Sequence, residues 1–91
     1  MEIRKVNENK KQFLTLLLLA DEQEDMVDRY LEKGAMYVLD DCGVKAECVV
    51  TDEGNGILEI KNIAVMPEHQ RTGYGRALID FIVCKCKGSY S

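Results

Sequence analysis

Apolar residues change their spacing along this chain, and each change marks an element. Ile3 to Val6 reads as a short strand. Phe13, Leu14, Leu17 and Leu18 then recur at helical spacing and predict a helix from an Asn7 N-cap to about Ala20. Asp21 and Glu24 have the spacing of a capping box, which satisfies free backbone N–H groups at a new helix start. Behind them, Met26, Val27, Tyr30 and Leu31 share one face of a second helix. Gly34 is expected to end that helix in left-handed backbone.

From there the period shortens. Ala35 to Asp40 and Val44 to Thr51 read as strands, with Asp41-Cys42-Gly43 as the turn between them. Glu53-Gly54-Asn55-Gly56 is a second turn. Ile57 to Met66 is a further strand, closed by Pro67, which has no N–H to give a ladder. A polar loop with two glycines leads to a last helix, Tyr74 to about Lys87, whose buried stripe is Tyr74, Ala77, Leu78, Phe81 and Ile82. The order β-α-α-β-β-β-α predicts an α+β fold: an antiparallel sheet flanked by helices. With 91 residues and no repeat, low-complexity stretch or linker, residues 1–91 read as a single domain.

Charge narrows the function. The net charge of −4 argues against a nucleic-acid binder, which needs a basic face. Residues 1–60 carry a net −7 and residues 61–91 a net +3, so the two parts face different partners. The longest apolar run, Leu16 to Ala20, is too short to span a bilayer, and the charged start MEIRKVNENKK does not resemble a signal peptide. A cytoplasmic setting without membrane contact is the expectation. Cys42, Cys48, Cys84 and Cys86 are then expected as free thiols, and Cys84-x-Cys86 lacks the spacing of a zinc or redox motif. A single histidine, His69, offers no basis for a metal site; it reads as a solvent-facing loop residue or a phosphate contact.

The segment Leu58 to Leu78 carries the chemistry. A strand feeds a loop containing Gly73 and Gly75, and the loop opens a helix. Helix N-termini present unpaired N–H donors and partial positive charge, so this arrangement can hold phosphate. Arg71 and Arg76 flank the loop, either as phosphate ligands or as solvated charges. The glycines are not followed by Lys-Ser/Thr, which excludes a Walker loop, and a G-x-G-x-x-G fingerprint is missing.

Gln70-Arg71-Thr72-Gly73-Tyr74-Gly75 resembles the Q/R-x-x-G-x-G/A motif of the Gcn5-related N-acetyltransferases (GNAT). The preceding Ile63-Ala64-Val65-x-Pro67 looks like the end of that family's fourth strand, and Arg76-Ala77-Leu78-Ile79 like its third-helix start. The upstream element order also agrees. The resemblance implies acetyl-CoA as acetyl donor. Ile63, Ala64 and Val65 would flank its pantetheine arm, and backbone N–H groups of Gln70, Arg71, Thr72, Gly73, Tyr74, Gly75 and Arg76 would cradle its pyrophosphate. Glu59 resembles the strand glutamate that some members use as general base toward the attacking amine; it reads equally as the polar partner of a strand whose Leu58 and Ile60 face the core. Tyr74 is expected to pack on the loop rather than act as an acid. The acidic run Asp21, Glu22, Glu24, Asp25 and Asp28 reads as helix capping, or as an acceptor site for a cationic amine.

A complete member of this family continues with a fifth strand and a fourth helix, whereas this sequence stops at KCKGSYS. The expectation is therefore a truncated domain, with its fourth strand left as an open edge that pairs in a homodimer. Tyr90, near the end, is not assigned the role of the acid that the family draws from its fourth helix. Two functions stay open: acetyl transfer from acetyl-CoA to a primary amine, on a small molecule or peptide, or an inactive remnant that binds CoA or a protein partner. A third reading is a small α+β domain unrelated to acetyl transfer.

Overall fold

The computed structural model describes residues 1–88, with side chains to residue 85; Tyr90 lies outside the described residues, as does the side chain of Cys86. Four strands, β1 (Glu2–Val6), β2 (Ala35–Asp40), β3 (Val44–Gly54) and β4 (Ile57–Val65), pair antiparallel in chain order. Two helices, α1 (Leu14–Ala20) and α2 (Glu24–Leu31), lie between β1 and β2, and α3 (Tyr74–Gly88) follows β4. The expected order and fold class are therefore the observed ones.

Alternation along the strands separates two cores. Met36, Val38 and Val49 pack with Leu17, Val27 and Leu31 of α1 and α2. Tyr37, Leu39, Ala46, Cys48 and Val50 pack with Leu78 and Ile82 of α3. In the expected stripe of α3, Leu78 and Ile82 are buried, and Tyr74, Ala77 and Phe81 are half-buried against them. In α1, Leu16 joins Leu17 as a buried residue, which the expected stripe did not include. Met26 of α2 stays 38% exposed and lies outside the core.

Several local expectations are corrected. Asn7 does not cap the first helix. The chain enters through a 3-10 turn at Lys10–Phe13, with Asn9 before it in left-handed backbone at φ 52°. Lys10 and Lys11 at that entry disfavour a regular helix start, whose partial charge is positive. Lys10 instead reaches the far end of α2, donating to the carbonyls of Leu31 and Gly34 at 2.7 Å each. The capping box does not form either. Gln23 is the N-cap residue of α2, Asp21 accepts from the Gln23 N–H at 3.2 Å, and Glu24 pairs with Lys11 at 2.5 Å.

Gly34 follows α2 for a reason other than backbone handedness, since its φ is not positive. A Cβ there would sit 2.8 Å from Val49 Cγ1 and 2.9 Å from the Tyr30 carbonyl oxygen. The β3–β4 hairpin does need left-handed backbone: Asn55 and Gly56 both have positive φ, at 56° and 76°. Free thiols are found at Cys42, Cys48 and Cys84.

Gly34→Ala should therefore overpack the α2–β3 contact and destabilise the domain by about 2 kcal/mol. Urea unfolding of the variant beside the wild type measures this directly.

Candidate functional site

β4 is an edge strand among the described residues, paired with β3 on one side only. Val49 pairs with Asn62 and Val50 with Ile60, so Lys61 is an extra residue that bulges β4. Beyond the bulge come Ile63, Ala64 and Val65. The available sign of this bulge is a one-residue phase slip in the apolar alternation, from Leu58 and Ile60 to Ile63 and Val65 across Lys61-Asn62.

After β4 the chain turns back through a 3-10 turn at Pro67–His69. The Met66 N–H donates to the Lys45 carbonyl at 2.8 Å, and the Gln70 side chain donates to the Val65 carbonyl at 3.4 Å. The Thr72 hydroxyl donates to the His69 carbonyl, closing the loop on itself. Arg71 and Gly73 take positive φ, at 68° and 90°. The first intrahelical bond of α3 runs from the Ala77 N–H to the Gly73 carbonyl at 2.9 Å. The N–H groups of Tyr74, Gly75 and Arg76 precede it, so none has an intrahelical acceptor.

The two glycines do different work. Open space surrounds the Cβ position of Gly73, so there its backbone angle is the constraint. A Cβ on Gly75 would meet Val65 Cγ2 at 3.5 Å, so the start of α3 lies close against the end of β4. The result is a cleft of about 310 Å³ lined by Leu19, Ala20, Ile63, Ala64, Val65, Gln70 and Gly75. Five of these seven are residues expected from the sequence to hold the donor. An N–H-rich helix start beside a strand edge fits a phosphate-bearing ligand with an extended amide arm: donors for the phosphates, ladder groups for the arm.

Other expected residues sit further out. The Arg71 side chain is exposed. Arg76 pairs with Asp80 at 3.2 Å, with side chains 80% and 64% exposed, so its charge lies along the outside of α3. Tyr74 donates its hydroxyl to Asp41 at 2.7 Å, which anchors α3 to the β2–β3 turn; this bond holds its proton on and raises its pKa. His69 lies 6.1 Å from the Tyr74 ring, centroid to centroid. Glu59, opposite Thr51, pairs with Lys61 at 3.2 Å and is half-exposed. Leu58 and Ile60 beside it are exposed rather than in the core. Among the described residues, none form a metal-binding group.

Sequence reasoning missed Glu47. It lies on β3 opposite Ala64 and is fully buried. Neither carboxylate oxygen has a hydrogen-bond partner among the described residues, and burial pushes its pKa up to about 8. The available signal was an acidic residue between Ala46 and Cys48 in the middle of the segment read as a strand.

In the unfolded chain Glu47 ionises near 4.5, and in the fold near 8. Between these values the folded state keeps a proton that the unfolded state has lost. Its contribution to stability should therefore fall as pH rises across that window, by at most about 1.4 kcal/mol per pH unit. Urea unfolding at both ends of the window should show this slope in the wild type and a flatter one in Glu47→Gln. An unchanged slope in the variant would contradict the assignment.

Comparison with known proteins adds a second line. The family model described as "Acetyltransferase (GNAT) domain" matches residues 32–91. The uncharacterized N-acetyltransferase YvbK of Bacillus subtilis (strain 168) is 36% identical over an alignment of 84 residues that covers 88% of this chain and 52% of YvbK. The solved IAA acetyltransferase from Bacillus cereus ATCC 14579 superposes with a TM-score of 0.88 at 31% identity, covering 97% of this chain and 59% of that one. A GNAT family acetyltransferase from Elizabethkingia anophelis, solved with acetyl-CoA bound, gives a TM-score of 0.87 at 29% identity, with 98% and 59% covered. The chain thus spans little more than half the length of these relatives.

Proposed function

This chain belongs to the GNAT acetyltransferase family, and on that premise we propose that it binds acetyl-CoA and transfers the acetyl group to a primary amine. The observation that carries this reading is the cleft between Ile63–Val65 of β4 and the start of α3. Its relative from Elizabethkingia anophelis, with acetyl-CoA bound, supports the choice of donor. Acetyl-CoA supplies an acetyl thioester. In this reading, backbone N–H groups from Gln70 to Arg76 hold the pyrophosphate. The free edge at Ile63, Ala64 and Val65 positions the pantetheine arm and thioester. The amine nitrogen forms its bond to the acetyl carbon as the C–S bond breaks, and CoA leaves as the thiolate.

Glu59 is proposed as general base. It lies on the same face of β4 as Asn62 and Ala64, because Thr51, its partner, shares a face of β3 with Glu47 and Val49. Glu59 does not line the cleft, so a proton would reach it through water. Glu59→Gln should lower kcat by roughly 10²-fold at unchanged fold. Release of free CoA thiol from acetyl-CoA and a panel of primary amines measures this; equal rates in both proteins would remove Glu59 from the mechanism. A cytoplasmic setting fits the free thiols, and none of the described helices is long and apolar enough to cross a membrane.

A second reading, a CoA-binding or interaction module without turnover, is favoured by the exposed β4 edge. Ile57, Leu58 and Ile60 are exposed at 58%, 37% and 39% beside unpaired ladder groups. In this reading a second copy of the chain covers that edge. Light scattering should then return a dimer mass, with no CoA released from any amine; a monomer that turns over would rule it out.

A further inference from the structure

A group of buried polar atoms on the α1–α2 face of the sheet is left unused by the donor site. Asn62 donates both amide hydrogens, to the Leu17 carbonyl at 3.0 Å and to the Tyr30 hydroxyl at 2.9 Å. Tyr30 donates in turn to Asp21 at 3.3 Å. Three atoms have no hydrogen-bond partner among the described residues: both carboxylate oxygens of Glu47 and the amide oxygen of Asn62. Glu47 pairs with Ala64 and Val49 with Asn62, so Glu47 and Asn62 are diagonal neighbours on one face, with backbones about 7–8 Å apart.

With Glu47 ionised, every unmatched atom in this group is an acceptor. Among the described residues, the elements around it bring no counter-charge. α1 contributes Leu17, β2 contributes Val38, and β4 contributes Ala64 and Asn62; the titratable neighbours Tyr30 and Asp21 are neutral or acidic. Lys10 is bonded to backbone carbonyls elsewhere, and Lys61 to Glu59. A buried carboxylate without a partner is costly. The group that matches these acceptors has donors only and a positive charge. A primary ammonium has three donors and no acceptor, whereas an alcohol or amide would bring acceptors of its own.

Position ties this group to the reaction. Ala64 stands opposite Glu47 and also lines the cleft, so Glu47, which is buried and does not itself line the cleft, lies one cross-strand pair away from it. We propose that Glu47 and Asn62 form the subsite that takes the ammonium group of the acceptor, which makes the acceptor a compact primary alkylamine without a carboxylate next to its nitrogen. An acceptor carboxylate at that point would meet Glu47 as a like charge. The proposal rests on the acetyl-transfer reading and supplies its missing half.

The test is a titration of the ¹⁵N-labelled protein with n-butylamine, 1-butanol and butyrate, followed by NMR. The Asn62 side-chain amide and the Ala64 backbone amide are the reporters. At about pH 8.5, Glu47 is mostly ionised and a primary alkylamine is still protonated. Butylamine should shift both reporters saturably, and butanol and butyrate should not. Glu47→Gln should weaken the butylamine response roughly tenfold or more. Equal responses to butylamine and butanol, or an undiminished response in the variant, would overturn the subsite. Acetyl-CoA added to the same samples reads the donor site separately, through the amides of Gly73 and Gly75. If those move while butylamine leaves Asn62 unmoved, the subsite is wrong and the donor site stands. If nothing moves with either ligand, both assignments fail.

Discussion

Hydrogen bonds to β3 hold β4 along one edge, from Ile57 to Val65, and leave its other edge unpaired among the described residues. That one-sided pairing organises the molecule. The register against β3 sets which β4 side chains face α1 and which face α3. The added residue Lys61 resets the register, so that Asn62 and Ala64 turn toward α1 while Ile63 and Val65 turn toward α3. The free edge after the bulge then offers backbone donors and acceptors beside the cleft. The short link from Val65 to Tyr74 brings the start of α3, with its own free N–H groups, against the same strand end. Two kinds of unpaired backbone group therefore face one cleft.

The cost of this arrangement sits on β3. Glu47 occupies a fully buried position where an apolar residue would be more stable, and it has no internal partner among the described residues. Burial also drives the neighbouring Cys48 thiol up to about 12, so that thiol stays neutral and packs as a small apolar group. The contrast is informative. Cys48 suits its place on the α3 face, whereas Glu47, one residue earlier and on the opposite face, does not. A destabilising residue beside the cleft is the pattern expected where stability is given up for function.

Much of the architecture was legible from the sequence. Period changes located all four strands and α3, and Asn55-Gly56 marked its hairpin, because these depend on local spacing and backbone preference. The glycine loop was legible for the same reason: its shape rests on backbone geometry that Gly73 and Gly75 announce. What the sequence hid depends on contacts between distant residues. Asn7 looked like a helix cap, but two lysines at that entry, and the reach of Lys10 to Gly34, moved the start. Gly34 looked like a left-handed cap, yet the side chain of Val49, on another strand, is what requires glycine there. Asp21 and Glu24 had capping-box spacing, but Asp21 accepts from the Gln23 N–H and the Tyr30 hydroxyl, and Glu24 pairs with Lys11. Glu47 could be placed on a strand, but its burial depends on α1 lying over the sheet. Arg71 and Arg76 lie outside the cleft lining, because long exposed side chains are not positioned by the backbone pattern.

The central claim is that the loop from Gln70 to Arg76 and the β4 edge together bind acetyl-CoA. Calorimetric titration of the protein with acetyl-CoA, beside Gly73→Val and Gly75→Val, tests it most directly. Valine at Gly73 is strained by the positive φ, and valine at Gly75 intrudes on Val65. The account predicts saturable binding at one cofactor per chain, weakened in both variants. Absence of binding in the wild type at millimolar acetyl-CoA, or equal affinity in all three proteins, would contradict it.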